Sequence, residues 1–128
     1  MLSNIQTGLA RLYLPLMIAR SQHHPQFFTA TILEWKLLLV QDAFKDIIID
    51  SMRFLVQNRR AVIYAFVIMP NHIHLAWHIA EGHKRENVQR DFLKFTAQQI
   101  KENLKRTDPV FLEQFRVNAK DRTYQIWE

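Results

Sequence analysis

The spacing of apolar residues changes repeatedly along this chain, and each change predicts an element. "FFTATILEW" (Phe27 to Trp35) is dense in β-branched and aromatic residues and predicts a strand. From Asp42 the period lengthens. Phe44, Ile47, Ile48, Met52 and Leu55 recur at helical spacing, with Asp42 placed to cap the helix and Arg59 and Arg60 to close it. "AVIYAFVIM" (Ala61 to Met69) is an unbroken apolar run with four β-branched residues, which predicts a buried central strand. Pro70 and Asn71 supply turn chemistry. "HIHLAWHI" then alternates, with Ile73, Leu75, Trp77 and Ile79 on one face and His72, His74, Ala76 and His78 on the other. The two runs form a β-hairpin with a tight connection.

Beyond the hairpin, Arg85 to about Lys105 reads as a helix of some five to six turns. "TDPVFLEQF" predicts a short helix with Thr107 or Asp108 at its cap and Pro109 in its first turn. "RTYQIW" (Arg122 to Trp127) predicts a last strand. Strand, helix, strand, strand, helix, short helix, strand is the order of an α+β fold, an antiparallel sheet with helices packed on one face. Residues 26–128 carry this pattern. Residues 1–25 precede it as an amphipathic or irregular arm, in which Asn4, Gln6 and Arg11 break an apolar stretch too short to span a bilayer.

Composition narrows the chemistry. At 128 residues, 48% hydrophobic and 23% charged, the chain has the make-up of one globular domain. Two glycines and the lack of any GxGxxG or P-loop pattern argue against a Gly-rich phosphate loop. With no cysteine, disulfide scaffolds, thiolate metal sites and thiol nucleophiles are excluded, and a cytoplasmic setting is suited. A net charge of +5 suits a polyanionic partner.

Three of the six histidines fall within seven residues of the second hairpin strand. Residues i and i+2 of a strand point the same way, about 6–7 Å apart. His72 and His74 can therefore converge on one divalent ion, while Ile73 anchors the strand in the core. Imidazole suits zinc, manganese, iron or nickel. A solvated strand face bearing polar residues gives the same bare tripeptide, and His78 is either a third ligand or a polar neighbour. His83 and the His23–His24 pair carry no assigned role.

The longer segment "VIMPNHIHLAW" is more specific, and it resembles the HUH element of single-tyrosine transposases. These are the insertion-sequence 200-like family, which includes the REP-associated tyrosine transposases of bacterial genomes. The family pattern of apolar strand, Met-Pro-Asn-His-apolar-His-Leu is matched by Met69, Pro70, Asn71, His72, Ile73, His74 and Leu75. "FFTATILEW" and "FLKFTAQQIK" (Phe92 to Lys101) also look like the family's first strand and post-hairpin helix. The likeness covers roughly Gln26 to the C-terminus and leaves the arm out.

The resemblance implies a ferredoxin-like or RRM-like HUH domain that cleaves and joins single-stranded DNA, often beside a hairpin. It implies that His72 and His74 bind Mg2+ or Mn2+, and that a tyrosine attacks phosphorus to leave a 5′-phosphotyrosine and a free 3′-hydroxyl. It also implies a homodimer and no membrane. The sequence departs from the family at its end. The family tyrosine sits on a helix after the last core strand, with a third metal ligand one turn further. Here "YQIW" is reached at Tyr124 to Trp127 and Glu128 is last, so a catalytic helix is expected to be missing and the chain to be inactive alone. Tyr13 lies outside the resemblance and Tyr64 in the apolar run. Tyr124 is the one candidate substitute, at a position where the family has a structural aromatic.

The helix from Arg85 adds a charged face. At 100° per residue, Arg90, Lys94, Gln98, Lys101 and Lys105 fall within about 80° of arc, broadly opposite Val88, Phe92, Leu93, Phe95, Ile100 and Leu104. Cations one turn apart can track phosphates or can simply be a solvated face. With the HUH-like segment present, Arg90, Lys94, Lys101 and Lys105 are assigned to DNA, with Arg59, Arg60 and Arg122 as further contributors. Two rival functions stay open: a non-catalytic DNA-binding remnant, and a small zinc hydrolase built on His72, His74 and His78.

Overall fold

The computed structural model describes residues 25–128. The expected arm, with Tyr13 and His23–His24, lies outside the described residues except for Pro25. Three strands, β1 (Gln26–Thr31), β2 (Ala61–Met69) and β3 (His72–Ile79), form one antiparallel sheet in the order β1-β3-β2. Helix α1 (Asp42–Gln57) joins β1 to β2, and α2 (Arg85–Thr107) follows β3, with the short α3 (Pro109–Leu112) after it. The arrangement is α+β, as the order of elements predicts.

The expected alternation of β3 holds: Ile73, Leu75, Trp77 and Ile79 are 0%, 2%, 0% and 9% exposed. They join Phe44, Ile48, Met52 and Leu55 of α1 and Val88, Phe92, Ile100 and Leu104 of α2 in one core, which places both helices on that face of the sheet. Phe28 of β1 stacks on Trp77 at 5.3 Å and 16°, and Phe92 meets Trp77 edge-on at 6.4 Å. Such pairs add about 0.5–1.5 kcal/mol each beyond their buried area.

Several expectations need correction. Among the described residues β2 is an edge strand, because β3 pairs with both neighbours. An apolar run reports burial of its two faces, not the number of its neighbours. The pairing of β2 also shifts register between Ile63 and Ala65, a bulge at Tyr64. Before it Ala61 and Ile63 face the core, and after it Phe66 and Ile68 do.

The first strand ends at Thr31, not at Trp35. Residues Leu33–Trp35 form a tight 3-10 turn in which Glu34 and Trp35 both take left-handed backbone, at φ 54° and 57°. Each non-glycine residue held there costs roughly 1–2 kcal/mol, so something must hold the turn. The Ile32 amide donates to the Asn71 carbonyl (2.9 Å), and the Leu33 amide to that of Ile126 (2.8 Å). The Glu128 amide donates to the Thr31 carbonyl (2.8 Å), and the Glu34 amide to Glu128 Oε2 (2.9 Å).

At the start of α1, Gln41 is the capping residue, and Asp42 sits in the first turn beside Lys45 Nζ (3.5 Å). A carboxylate there still favours the helix dipole. Past its end, Arg59 is left-handed (φ 57°), the usual conformation of a residue that stops a helix. α3 matches expectation: Asp108 accepts from the Phe111 amide at 3.1 Å, and Pro109 opens the helix. Residues Arg122 to Trp127 do not form the strand predicted for them. They make single bridges, Tyr124 to Arg116 and Trp127 to Ile32, because they run between two elements instead of lying along one.

Candidate metal and nucleic-acid site

The tight Pro70–Asn71 turn starts β3 at His72, so the two histidines stand at the end of the sheet on the face away from the helices. Their rings lie 4.7 Å apart, centroid to centroid, and nearly perpendicular. Each ring is oriented through the same nitrogen. His72 Nδ1 donates to Asn71 Oδ1 at 2.7 Å, and His74 Nδ1 is hydrogen-bonded to Thr29 Oγ1 at 3.0 Å. Thr29 is opposite His74 in the β1–β3 register, which puts its side chain on the same face. With Nδ1 engaged, Nε2 of each imidazole is the nitrogen left to bind a metal, and an oxygen partner on the other nitrogen is the usual companion of a histidine ligand. The donor set fits a divalent ion held by two imidazoles, with its remaining positions left to oxygen ligands.

Among the described residues no group of three or more histidine, cysteine, aspartate or glutamate side chains could hold a metal ion. His78 therefore does not complete a three-histidine site with His72 and His74, being roughly 13 Å along the strand from His74. His83 is exposed in the loop before α2.

The predicted basic face of α2 is lined up along a groove. Arg90, Lys94, Gln98 and Lys101 form one wall, and Arg122, Tyr124 and Gln125 are among the residues of the other, around a volume of about 610 Å3. A second hollow of about 400 Å3 shares Gln98, Lys101 and Arg122 with it and extends the groove to Lys105. The four assigned cations thus line two adjoining hollows, together with Glu102, Asp121 and Glu128. Their charge is not equally available: Arg90 pairs with Asp91 (3.2 Å), Lys105 with Glu102 (3.6 Å) and Arg122 with Asp121 (2.8 Å). Lys94 and Lys101 make no ion pair among the described residues. Phe95, expected on the apolar side, is 47% exposed, while Thr96 is buried and accepts from Trp127 Nε1 at 3.0 Å. Arg60 is ion-paired in the same way: its guanidinium reaches Asp91 Oδ2 at 3.0 Å and holds that carboxyl below its ordinary range.

Tyr124 is tied into a triad of its own. Its hydroxyl donates to Glu113 Oε1 (2.8 Å) and accepts from Arg116 Nη2 (3.1 Å). The Glu113 carboxylate beside it raises the phenol above its ordinary value, and Arg116 together with Tyr124 lowers Glu113 to about 2. The raised phenol keeps its proton, and a carboxylate lowered to about 2 is a weak base for removing it, so the pair does not make Tyr124 an activated nucleophile. Tyr64 is buried.

Sequence reasoning missed two residues here. Thr29 could be found only from the register of strands far apart in the chain. Trp35, whose ring meets His72 edge-on at 5.9 Å, was read as a strand residue.

Comparison with solved structures bears on the fold. A proposed transposase from Deinococcus radiodurans aligns with a TM-score of 0.50 at 16% identity, over 67% of this chain and 67% of that one. The two chains share a fold. A REP-associated tyrosine transposase bound to a REP hairpin aligns with a TM-score of 0.48 at 20% identity, over 82% of this chain and 51% of that one. No protein-family model and no curated protein matches the sequence. Among the described residues no helix is long and apolar enough to cross a membrane.

Proposed function

We propose that this chain is a transposase-type module that binds single-stranded or hairpin DNA and a divalent ion, Mg2+ or Mn2+, for strand cleavage and joining through a phosphotyrosine. The observation that carries the reading is the oriented pair of histidines: two imidazoles side by side at a strand end, each with Nδ1 tied to a neighbouring oxygen. His72 and His74 would hold the ion, with Asn71 and Thr29 orienting their rings. When bound, the ion polarises the scissile phosphate and neutralises charge that builds on it. Lys94 and Lys101, with Arg90 and Lys105, position the sugar–phosphate backbone along the α2 groove.

The covalent step requires a tyrosine oxygen to bond to phosphorus as the 3′-oxygen leaves. Neither Tyr64, which is buried, nor Tyr124, which donates to Glu113, is poised for it. Among the described residues no tyrosine is thus poised for the step, and we read residues 25–128 as a module that binds metal and DNA, which favours the non-catalytic DNA-binding reading for that module.

The test has two arms. Titration with Mn2+ and labelled hairpin DNA should show metal-dependent binding that His72→Ala and His74→Ala each remove while circular dichroism is unchanged. Variants that unfold instead would return the histidines to a structural role. Incubation with the same DNA, resolved under denaturing conditions, should give no protein–DNA adduct. An adduct that disappears in Tyr124→Phe would overturn the assignment of Tyr124 as a structural group.

A further inference from the structure

The turn that follows β1 joins the two halves of the proposed site. Its backbone is bound to the hairpin turn through Ile32 and Asn71, and Leu39 repeats the connection by donating to the Pro70 carbonyl at 2.9 Å. On its other side it is bound to Ile126 and Glu128, and both of these residues line the α2 groove. Trp35 projects from this turn with 60% of its surface exposed, and its ring lies against His72. A large indole left in water gains nothing for the core. Two successive left-handed residues, Glu34 and Trp35, are nonetheless held in place to present it. Strain of this kind persists only where the surroundings over-determine it, and it concentrates at functional positions. Val67 and Met69, the register partners of His74 and His72, are exposed on the same face and add an apolar border.

We infer that Trp35 is a stacking shelf for an unpaired nucleobase, next to the phosphate that His72 and His74 address. The inference rests on the proposed DNA-binding function and specifies it: the ligand is a single strand whose base lies flat on an indole. Every base has a π-face, so a shelf of this kind accepts any of them, and base–aromatic stacking is a common way of holding single strands without reading their sequence. The basic groove supplies charge, the histidines supply a metal, and Trp35 supplies the contact that distinguishes an unstacked base from one inside a duplex.

The three tryptophans make the test direct, because Trp77 and Trp127 are buried and Trp35 is not. Wild type, Trp35→Phe and Trp35→Ala are titrated with labelled oligothymidylate in Mn2+, and with an oligomer of equal length made of abasic sugars. Stacking predicts quenching of indole emission in the wild type and a loss of affinity of about 5- to 150-fold in Trp35→Ala. It predicts a much smaller loss in Trp35→Phe, and equal affinity of wild type and Trp35→Ala for the abasic oligomer. Unchanged affinity and unquenched emission would overturn the shelf while leaving the metal and phosphate contacts standing. An equal loss on both oligomers would make Trp35 a support for the turn and would also overturn it. If the wild type bound neither oligomer, the DNA-binding function itself would fall, and the shelf with it.

Discussion

The histidine pair and the α2 groove are built on opposite principles. His72 and His74 sit on short side chains in a sheet, each ring fixed by a hydrogen bond and anchored by the buried Ile73 between them. The groove is lined by long, flexible cations, several of them shared with a neighbouring carboxylate. The first arrangement suits a ligand that demands geometry, such as a metal ion. The second suits a ligand that demands only charge at regular spacing, such as a phosphate backbone. Geometry is expensive to disturb and charge is easily tuned.

The sharpest way to break that contrast is to remove the anchor. Ile73→Ala deletes a side chain that is 0% exposed, and should cost about 2–5 kcal/mol in urea unfolding. Lys94→Gln and Lys101→Gln, at the surface, should stay within about 0.5 kcal/mol of wild type in the same experiment. Equal effects would mean that the two regions are not differently built.

Next in size are the orienting residues. Asn71→Ala and Thr29→Val should each weaken Mn2+ binding about 10- to 100-fold, read by calorimetry, with the fold intact. An unchanged affinity would show that the rings find the metal without their oxygen partners.

In the groove, the Lys94→Gln, Lys101→Gln double variant should weaken binding to single-stranded DNA evenly across sequences. It should also reduce the slope of log affinity against log salt by about 1–2. A slope equal to that of wild type would take both lysines off the DNA.

The smallest effect concerns the wall of the groove. Glu113 has a folded-state pKa of about 2, below the 4.5 of an unperturbed group, owing first to its hydrogen bonds with Arg116 and then to Tyr124. A depressed carboxyl stabilises the fold above its unfolded value and loses that contribution as pH falls. Stability should therefore drop between about pH 4.5 and pH 2, and Glu113→Gln should flatten the curve in that window. A curve that keeps its shape would mean that the exposed triad is screened by solvent.

What could be seen from the chain alone follows from the range of each signal. The inward and outward faces of β3 are a local alternation, so Ile73 and Trp77 were legible as core and His72 and His74 as neighbours. The cations of α2 repeat at one helical period, so their common face was legible too. Partnership across the fold was not. Thr29 meets His74 only through the β1–β3 register, and β2 lies at the edge because of what β3 does. Trp35 was hidden for a different reason. The string "FFTATILEW" favours a strand throughout, and the left-handed turn inside it is held by hydrogen bonds to the Asn71 and Ile126 carbonyls and by a reciprocal pair with Glu128. The role of Tyr124 as a partner of Glu113 depends on a segment that bends back over eleven residues.

The bulge at Tyr64 acts as a change of parity in the sheet. Up to Ile63 the odd-numbered residues of β2 point inward, and from Phe66 the even-numbered ones do. Were the strand to pair regularly through that point, with no bulge to absorb Tyr64, one end of it would have to turn its large apolar side chains outward. The bulge takes up the extra residue and lets a continuous apolar run serve the core at both ends. It also determines that Val67 and Met69, rather than Phe66 and Ile68, border the two histidines. One bulge, well away from the site, thus keeps Val67 and Met69 beside the histidines.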